Sequence, residues 1–95
     1  MDDGFEWDDR KARINLRLHK VDFDRAKGIF RGPVLQVLDT REDYGEDRYI
    51  SLGEVEGRCL VVVHTPRGDR TRIVSARKAT ANERKRYDRE VYGEK

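Results

Sequence analysis

The sequence predicts an α+β fold: a short N-terminal strand, two helices, a four-stranded antiparallel sheet and a C-terminal helix. Three observations carry this reading. Apolar residues recur at helical spacing only between residues 9 and 31, and from Val34 the pattern turns to strand-like alternation and apolar runs. Thr80-Ala81-Asn82-Glu83 is a capping box that opens one last helix. The short turns joining the last three strands favour hairpins, and so an antiparallel sheet.

Taken in order, Phe5-Glu6-Trp7 alternates apolar and polar residues as a short strand. Asp8 reads as the N-cap of a helix running to about His19, with Asp9 adding negative charge to its first turn. Ala12, Leu16 and His19 recur at one helical spacing, and Lys11, Asn15 and Leu18 at another. Asp22 caps a second helix with an apolar stripe of Phe23, Ala26, Ile29 and Phe30, which Gly32-Pro33 ends. The four strands are Val34–Leu38, Arg48–Gly53, Arg58–Thr65 and Arg70–Ala76. An acidic loop from Asp39 to Asp47 separates the first two, and the turn Pro66-Arg67-Gly68-Asp69 precedes the last. The third strand is apolar on both faces and belongs in the middle of the sheet. The helix opening at Thr80 offers little beyond Tyr87 and Val91 for burial.

Length and composition bound the function. The 95 residues suit a single domain spanning 1–95. Lys and Arg number 21 against 19 Asp and Glu, so 42% of the chain is charged for a net of only +2. Leu, Ile, Val and Phe total 22, enough for a thin core that a bound partner would stabilise. No apolar run reaches the ~18 residues of a membrane span, and the start Met1-Asp2-Asp3 is the opposite of a signal peptide, so a cytoplasmic location is expected. The single Cys59 excludes an internal disulfide and a multi-cysteine zinc site, and reads as a small buried hydrophobe. His19 and His64 have no second ligand at a familiar spacing, so neither a metal nor another cofactor is expected; His64, ending a buried strand, reads as structural. There is no glycine-rich phosphate loop, and Ser51 and Ser75 lack a nucleophile elbow. The charge is uneven. Residues 31–57 carry three basic against seven acidic side chains, and residues 66–95 carry ten against five. A polyanion partner for the C-terminal third follows, although the acidic stretch could equally face that third within the fold.

Arginines on strands and turns are what remains for chemistry. Arg67, Arg70, Arg72 and Arg77 fall within eleven residues, with Arg48 on another strand. Planar guanidinium forks suit phosphate oxygens and can hold the charge that develops when a phosphodiester is cleaved without metal. A second group must then move protons, and His19 is the candidate because imidazole titrates near neutral pH. Simple alternation puts Arg70, Arg72, Val74 and Ala76 on one side of the last strand and Thr71, Ile73, Ser75 and Arg77 on the other. Arg72 and Arg77 share a face only if a bulge intervenes. This ranks Arg67 and Arg72 ahead of Arg77 as phosphate ligands.

The chain also resembles a known family. Phe5-Glu6-Trp7-Asp8, then Lys11, Asn15, His19, Val21, Phe23 and Ala26, is similar to the opening pattern of the BrnT toxins, and Glu46, Arg48, Tyr49 and Gly53 continue it. The most specific part is Arg72-Ile73-Val74-Ser75-Ala76-Arg77-Lys78-Ala79-Thr80 followed by Glu83, Arg84 and Tyr87. One departure stands out: Leu18-His19-Lys20 replaces the family's usual Lys-His-Gly. The resemblance implies a RelE-like fold and a ribonuclease toxin of a type II toxin–antitoxin system that inhibits translation. It implies a cognate antitoxin with a ribbon-helix-helix DNA-binding segment, and a heterotetramer of two toxins and two antitoxins. On this reading Arg67, Arg72 and Arg77 bind and polarise phosphate, and His19 or Lys11 assists proton transfer. Arg48, Arg70, Lys78 and Arg84 would contact RNA. The alternative, prompted by the altered residues around His19, is a non-catalytic RNA- or antitoxin-binding module.

Overall fold

The computed structural model describes residues 3–93; the acidic start at Met1 and Asp2 lies outside them. Strand β1 (Phe5–Glu6) leads into helix α1 (Asp9–His19), one α-helical turn α2 (Phe23–Ala26) and a 3-10 helix (Lys27–Arg31). Strands β2 (Leu35–Leu38), β3 (Tyr49–Val55), β4 (Arg58–Arg67) and β5 (Arg70–Lys78) follow, and α3 (Ala81–Tyr92) closes the series. The expected helix caps are all present. The Asp8 carboxylate accepts from the Arg10 and Lys11 N–H groups, that of Asp22 from Asp24, and Thr80 and Glu83 form the reciprocal capping box.

The sheet departs from expectation in one respect. It has five strands in the order β1-β5-β4-β3-β2, and it is mixed rather than a four-stranded antiparallel sheet. Phe5 and Glu6 pair in parallel with Thr71 and Arg72. The reason is an edge. Without β1, β5 would present unpaired backbone groups along its whole outer side. β1 covers one half, and a side chain covers the other. Asn15 Nδ2 donates to the Ala76 carbonyl at 2.9 Å, and the Ala76 N–H donates back to Asn15 Oδ1 at 3.1 Å. A further Asn15 bond to the Val21 carbonyl, 3.0 Å long, ties the end of α1 to the chain that follows.

A second departure changes which residues share a face. His64 pairs with Ile73 and Val63 with Ser75, so Val74 has no opposite number and β5 carries a bulge. Simple alternation therefore fails across Val74. Ile73 and Ala76, assigned above to opposite sides, are buried in the same core. Arg72 and Arg77 both point to the other face.

The second helix is also shorter than its apolar stripe suggested. After one α-turn it tightens to 3-10 where it crosses β3. There Gly28 lies against Val55, and a Cβ on Gly53 would come within 2.7 Å of Ile29 Cβ. The stripe still serves its purpose. Phe23, Ala26 and Ile29 are buried with Val21, Leu60, Val62, Ile73 and Ala76 in the core on one side of the sheet. On the other side Tyr87 of α3 packs on Leu52, Cys59 and Val61, and its hydroxyl donates to the Pro33 carbonyl at 2.9 Å. Strand β4 feeds both cores, as a central strand must.

At Leu18-His19-Lys20 the helix ends on a non-glycine residue of positive φ. Lys20 caps α1 in the left-handed region at φ 61°, with its N–H donating to the Leu16 carbonyl at 2.9 Å. A glycine makes that turn at no steric cost, and Lys20 makes it nonetheless.

Candidate nucleic-acid interface

Helix α3 covers only one end of its side of the sheet. Beyond it the register lays down a row of Val37, Ile50, Val63 and Ser75 across four strands. The next row towards the β4–β5 turn holds Thr65 opposite Arg72, with Arg48 preceding the neighbouring Tyr49. Arg77, opposite Val61, stands two rows away on the α3 side, about 13 Å along the strand. Between α3 and the sheet a cavity of about 100 Å³ is floored by Leu35, Val37, Ile50 and Val61 and rimmed by Glu83 and Arg86. The result is an aliphatic trough with guanidinium groups at both ends.

Each of these guanidinium groups is held. Arg77 forks onto Glu83, with Nη1 and Nη2 each 2.9 Å from a carboxylate oxygen. Glu83 also accepts the Thr80 N–H at 2.8 Å, and the Arg77 guanidinium with this bond holds its pKa down at about 2. Arg72 Nε donates to Glu6 at 2.8 Å and Arg70 Nε to the other oxygen at 3.1 Å, which keeps Glu6 below the usual carboxylate range. Arg48 meets Glu46 at 3.1 Å and lies over the Tyr44 ring, 4.2 Å from its centroid.

The acidic loop folds mainly on its own cations. Arg41 donates from Nε and Nη2 to the buried Asp39 at 2.8 and 2.7 Å, which holds that carboxyl far below its usual range. The sequence reading missed this Arg41–Asp39 pair. Its only signal was an arginine inside a net-acidic segment. Arg86 was missed too; it lies one turn past Glu83 on the same side of α3.

The remaining candidates fall around this face. Arg67 is exposed at the end of β4, and its side chain makes no hydrogen bond or ion pair among the described residues. Lys11 and His19 lie four residues either side of Asn15, which is fixed to the edge of β5. Lys11 sits towards Arg72: the Asp8 carboxylate, which accepts the Lys11 N–H at 3.1 Å, feels the charge of both. His19 is exposed at the other end of α1, about 12 Å further along its axis. Lys78 is exposed where β5 ends, and Arg84 commits its guanidinium to Glu54 at 2.6 Å and Asp88 at 3.3 Å. The structure thus brings Arg48, Arg67, Arg70, Arg72 and Arg77 to one face, with Lys11 at its border. It leaves His19, Lys78 and Arg84 towards the opposite end.

His64 lies on the reverse side. It is buried between Phe30 and Tyr49 with Nε2 2.8 Å from Ser51 Oγ, and burial lowers its pKa to about 4. The imidazole is neutral and structural, as its place on a buried strand suggested. Cys59 is buried as expected, and desolvation pushes its thiol pKa up. Among the described residues no three His, Cys, Asp or Glu side chains converge as a metal site, and no helix is long and apolar enough to cross a membrane.

Fold and face together define a small α+β protein with a guanidinium-lined trough on one face of a mixed five-stranded sheet. The family model described as ribonuclease toxin, BrnT, of type II toxin–antitoxin system matches residues 7–83, and the chain belongs to that family of toxins. Membership implies a cognate antitoxin as its partner. Among curated proteins, none matches this chain.

Proposed function

We propose that this chain is an endoribonuclease with a RelE-like fold that cleaves RNA without a metal ion, inhibits translation in the cytoplasm and is neutralised by its antitoxin. The observation that carries the reading is the bulge at Val74, which puts Arg72 and Arg77 on one open face. Arg72 and Arg77 hold the phosphate and the charge that grows on it, with Arg67, Arg48 and Arg70 binding the flanking backbone. Glu6 and Glu83 are unsuited to take up protons, because their arginine partners keep them ionised. Proton transfer therefore falls to Lys11, at the border of the trough, or to His19. Lys78 and Arg84 contact RNA only if the strand extends to the start of α3. The antitoxin, carrying a ribbon-helix-helix segment, pairs two toxins in a heterotetramer and covers the trough.

Induced alone, the protein should arrest bacterial growth and degrade RNA, and co-expression of the antitoxin should restore both. Cleavage by the purified protein should survive excess EDTA. Normal growth at confirmed soluble expression, or activity lost to the chelator and restored by one divalent ion, would refute the corresponding part of the proposal.

A further inference from the structure

Helix α1 concentrates unpaired cations along one side. Arg10, Lys11, Arg13 and Arg17 form no ion pair among the described residues. On the sheet, by contrast, Arg48, Arg70, Arg72 and Arg77 each reach a carboxylate. Arg10, Arg13 and Arg17 repeat at i, i+3 and i+7, so like charges stack along about 10 Å of one helical stripe. Arg10 and Lys11 moreover stand in the first turn, where the helix dipole disfavours cations. Each of these choices disfavours α1 as an isolated helix. Asp8 offsets part of this at Lys11, but Arg10, Arg13 and Arg17 have no carboxylate partner among the described residues, which points to compensation from outside the fold.

The orientation of α1 shows where that partner comes from. Ala12 packs on the helix-side core, and Asn15 is bonded to the outer edge of β5 at Ala76. At 100° per residue, the positions that follow around the helix beyond Asn15 are Lys11 and Leu18, then Ile14, then Arg10, Arg17 and Arg13. The exposed surface therefore runs from Arg72 and Arg77 across the β5 edge to Lys11 and on to the arginine stripe. Ile14 and Leu18, 43% and 68% exposed, lie along the same path.

We infer that α1 is an RNA-anchoring surface: single-stranded RNA leaving the trough crosses the β5 edge and lays its phosphates on Arg10, Arg13 and Arg17. This rests on the ribonuclease reading above and adds a second contact region to it. Charge argues for RNA over a protein partner, since the stripe is purely cationic and continuous with the arginine-lined trough. An acidic amphipathic segment of the antitoxin, using Ile14 and Leu18 as well, is the competing occupant.

The test compares the wild type with the triple variant Arg10→Gln, Arg13→Gln, Arg17→Gln, which leaves every proposed catalytic residue in place. Two substrates are used, a tetranucleotide and an RNA long enough to span both surfaces. The variant should melt no lower than the wild type, because it relieves repulsion. It should cleave the tetranucleotide at an unchanged rate, while KM for the long RNA rises ~10-fold or more. The slope of log K against log salt for the long RNA should become shallower by about 2, or ~0.7 for each lost phosphate contact. An unchanged slope and KM would overturn the inference. So would weakened antitoxin binding with RNA affinity intact, which would assign the face to the protein partner. If the wild type cleaves neither RNA, the ribonuclease reading fails while the binding slope still decides the role of α1.

Discussion

Lowering the pH from 7 to 5 should cost this protein about 2 kcal/mol of stability, and His64 should account for nearly all of it. Its imidazole sits between Phe30 and Tyr49 with Ser51 at Nε2, and burial takes its pKa from the ordinary 6.5 to about 4. In the window between those values the unfolded chain binds a proton that the folded chain refuses. Stability is therefore complete above pH 6.5 and declines as the pH falls towards 4. The linkage relation gives about 2 kcal/mol at pH 5 and about 3 kcal/mol near pH 4. The lowered carboxylates add little above pH 5, since Asp3 and Glu6 start from ordinary values of 3.8 and 4.5. Urea denaturation at pH 7 and pH 5 measures the difference directly. His64→Gln keeps a polar group near Ser51 but cannot titrate, so the loss should shrink to a few tenths of a kcal/mol. Equal stability of the wild type at the two pH values, or an undiminished loss in the His64 variant, would refute the account. The result bears on function, because an acid decline of RNA cleavage that disappears with His64→Gln reports unfolding rather than a catalytic proton.

Three further outcomes follow from particular contacts. Asn15→Ala leaves the Ala76 N–H and the carbonyls of Ala76 and Val21 without their partner; chemical denaturation should show a loss of about 3 kcal/mol or more. Lys20→Gly removes the steric cost of a left-handed cap at φ 61° and should raise stability by about 1 kcal/mol, read as an upward shift in melting temperature. Arg72→Ala and Arg77→Ala should each lower RNA cleavage by ~100-fold or more while the protein stays folded by circular dichroism, and intact cleavage in both would overturn the site.

What could be read in the sequence was what is decided locally. The caps at Asp8, Asp22 and Thr80 act within three residues of themselves, and all three were legible. So was the central position of β4, whose two apolar faces need two cores. The partner of β1 was not, because Phe5 and Glu6 meet Thr71 and Arg72 across more than sixty intervening residues and two residues alone carry no periodicity. The bulge was equally hidden, since nothing in Ile73-Val74-Ser75 distinguishes a bulged strand from a regular one. It mattered more than any other feature for the site, because one unpaired residue reversed the relation of Arg77 to Arg72. Asn15 was visible only as a member of a helical spacing and a family pattern. Its role depends on a strand edge that exists only after the sheet has formed.

The ion pairs raise the question of whether the trough arginines retain anything for a substrate. A guanidinium has five N–H donors, and a carboxylate fixes its position while using only one or two of them. Arg72 gives Glu6 its Nε hydrogen alone, and its two terminal amino groups make no hydrogen bond among the described residues. Arg77 spends more: both Nη atoms go to Glu83, and Nη1 also meets the Lys78 carbonyl at 3.2 Å. Glu6 divides its two oxygens between Arg70 and Arg72, whereas Glu83 gives both of its oxygens to Arg77. An incoming phosphate meets unused donors at Arg72, but must compete with a carboxylate for both terminal amino groups of Arg77. Arg72 should therefore contribute more to ground-state binding, appearing mainly in KM. Arg77 should contribute mainly to kcat, because only the higher charge of the transition state draws its fork away from Glu83.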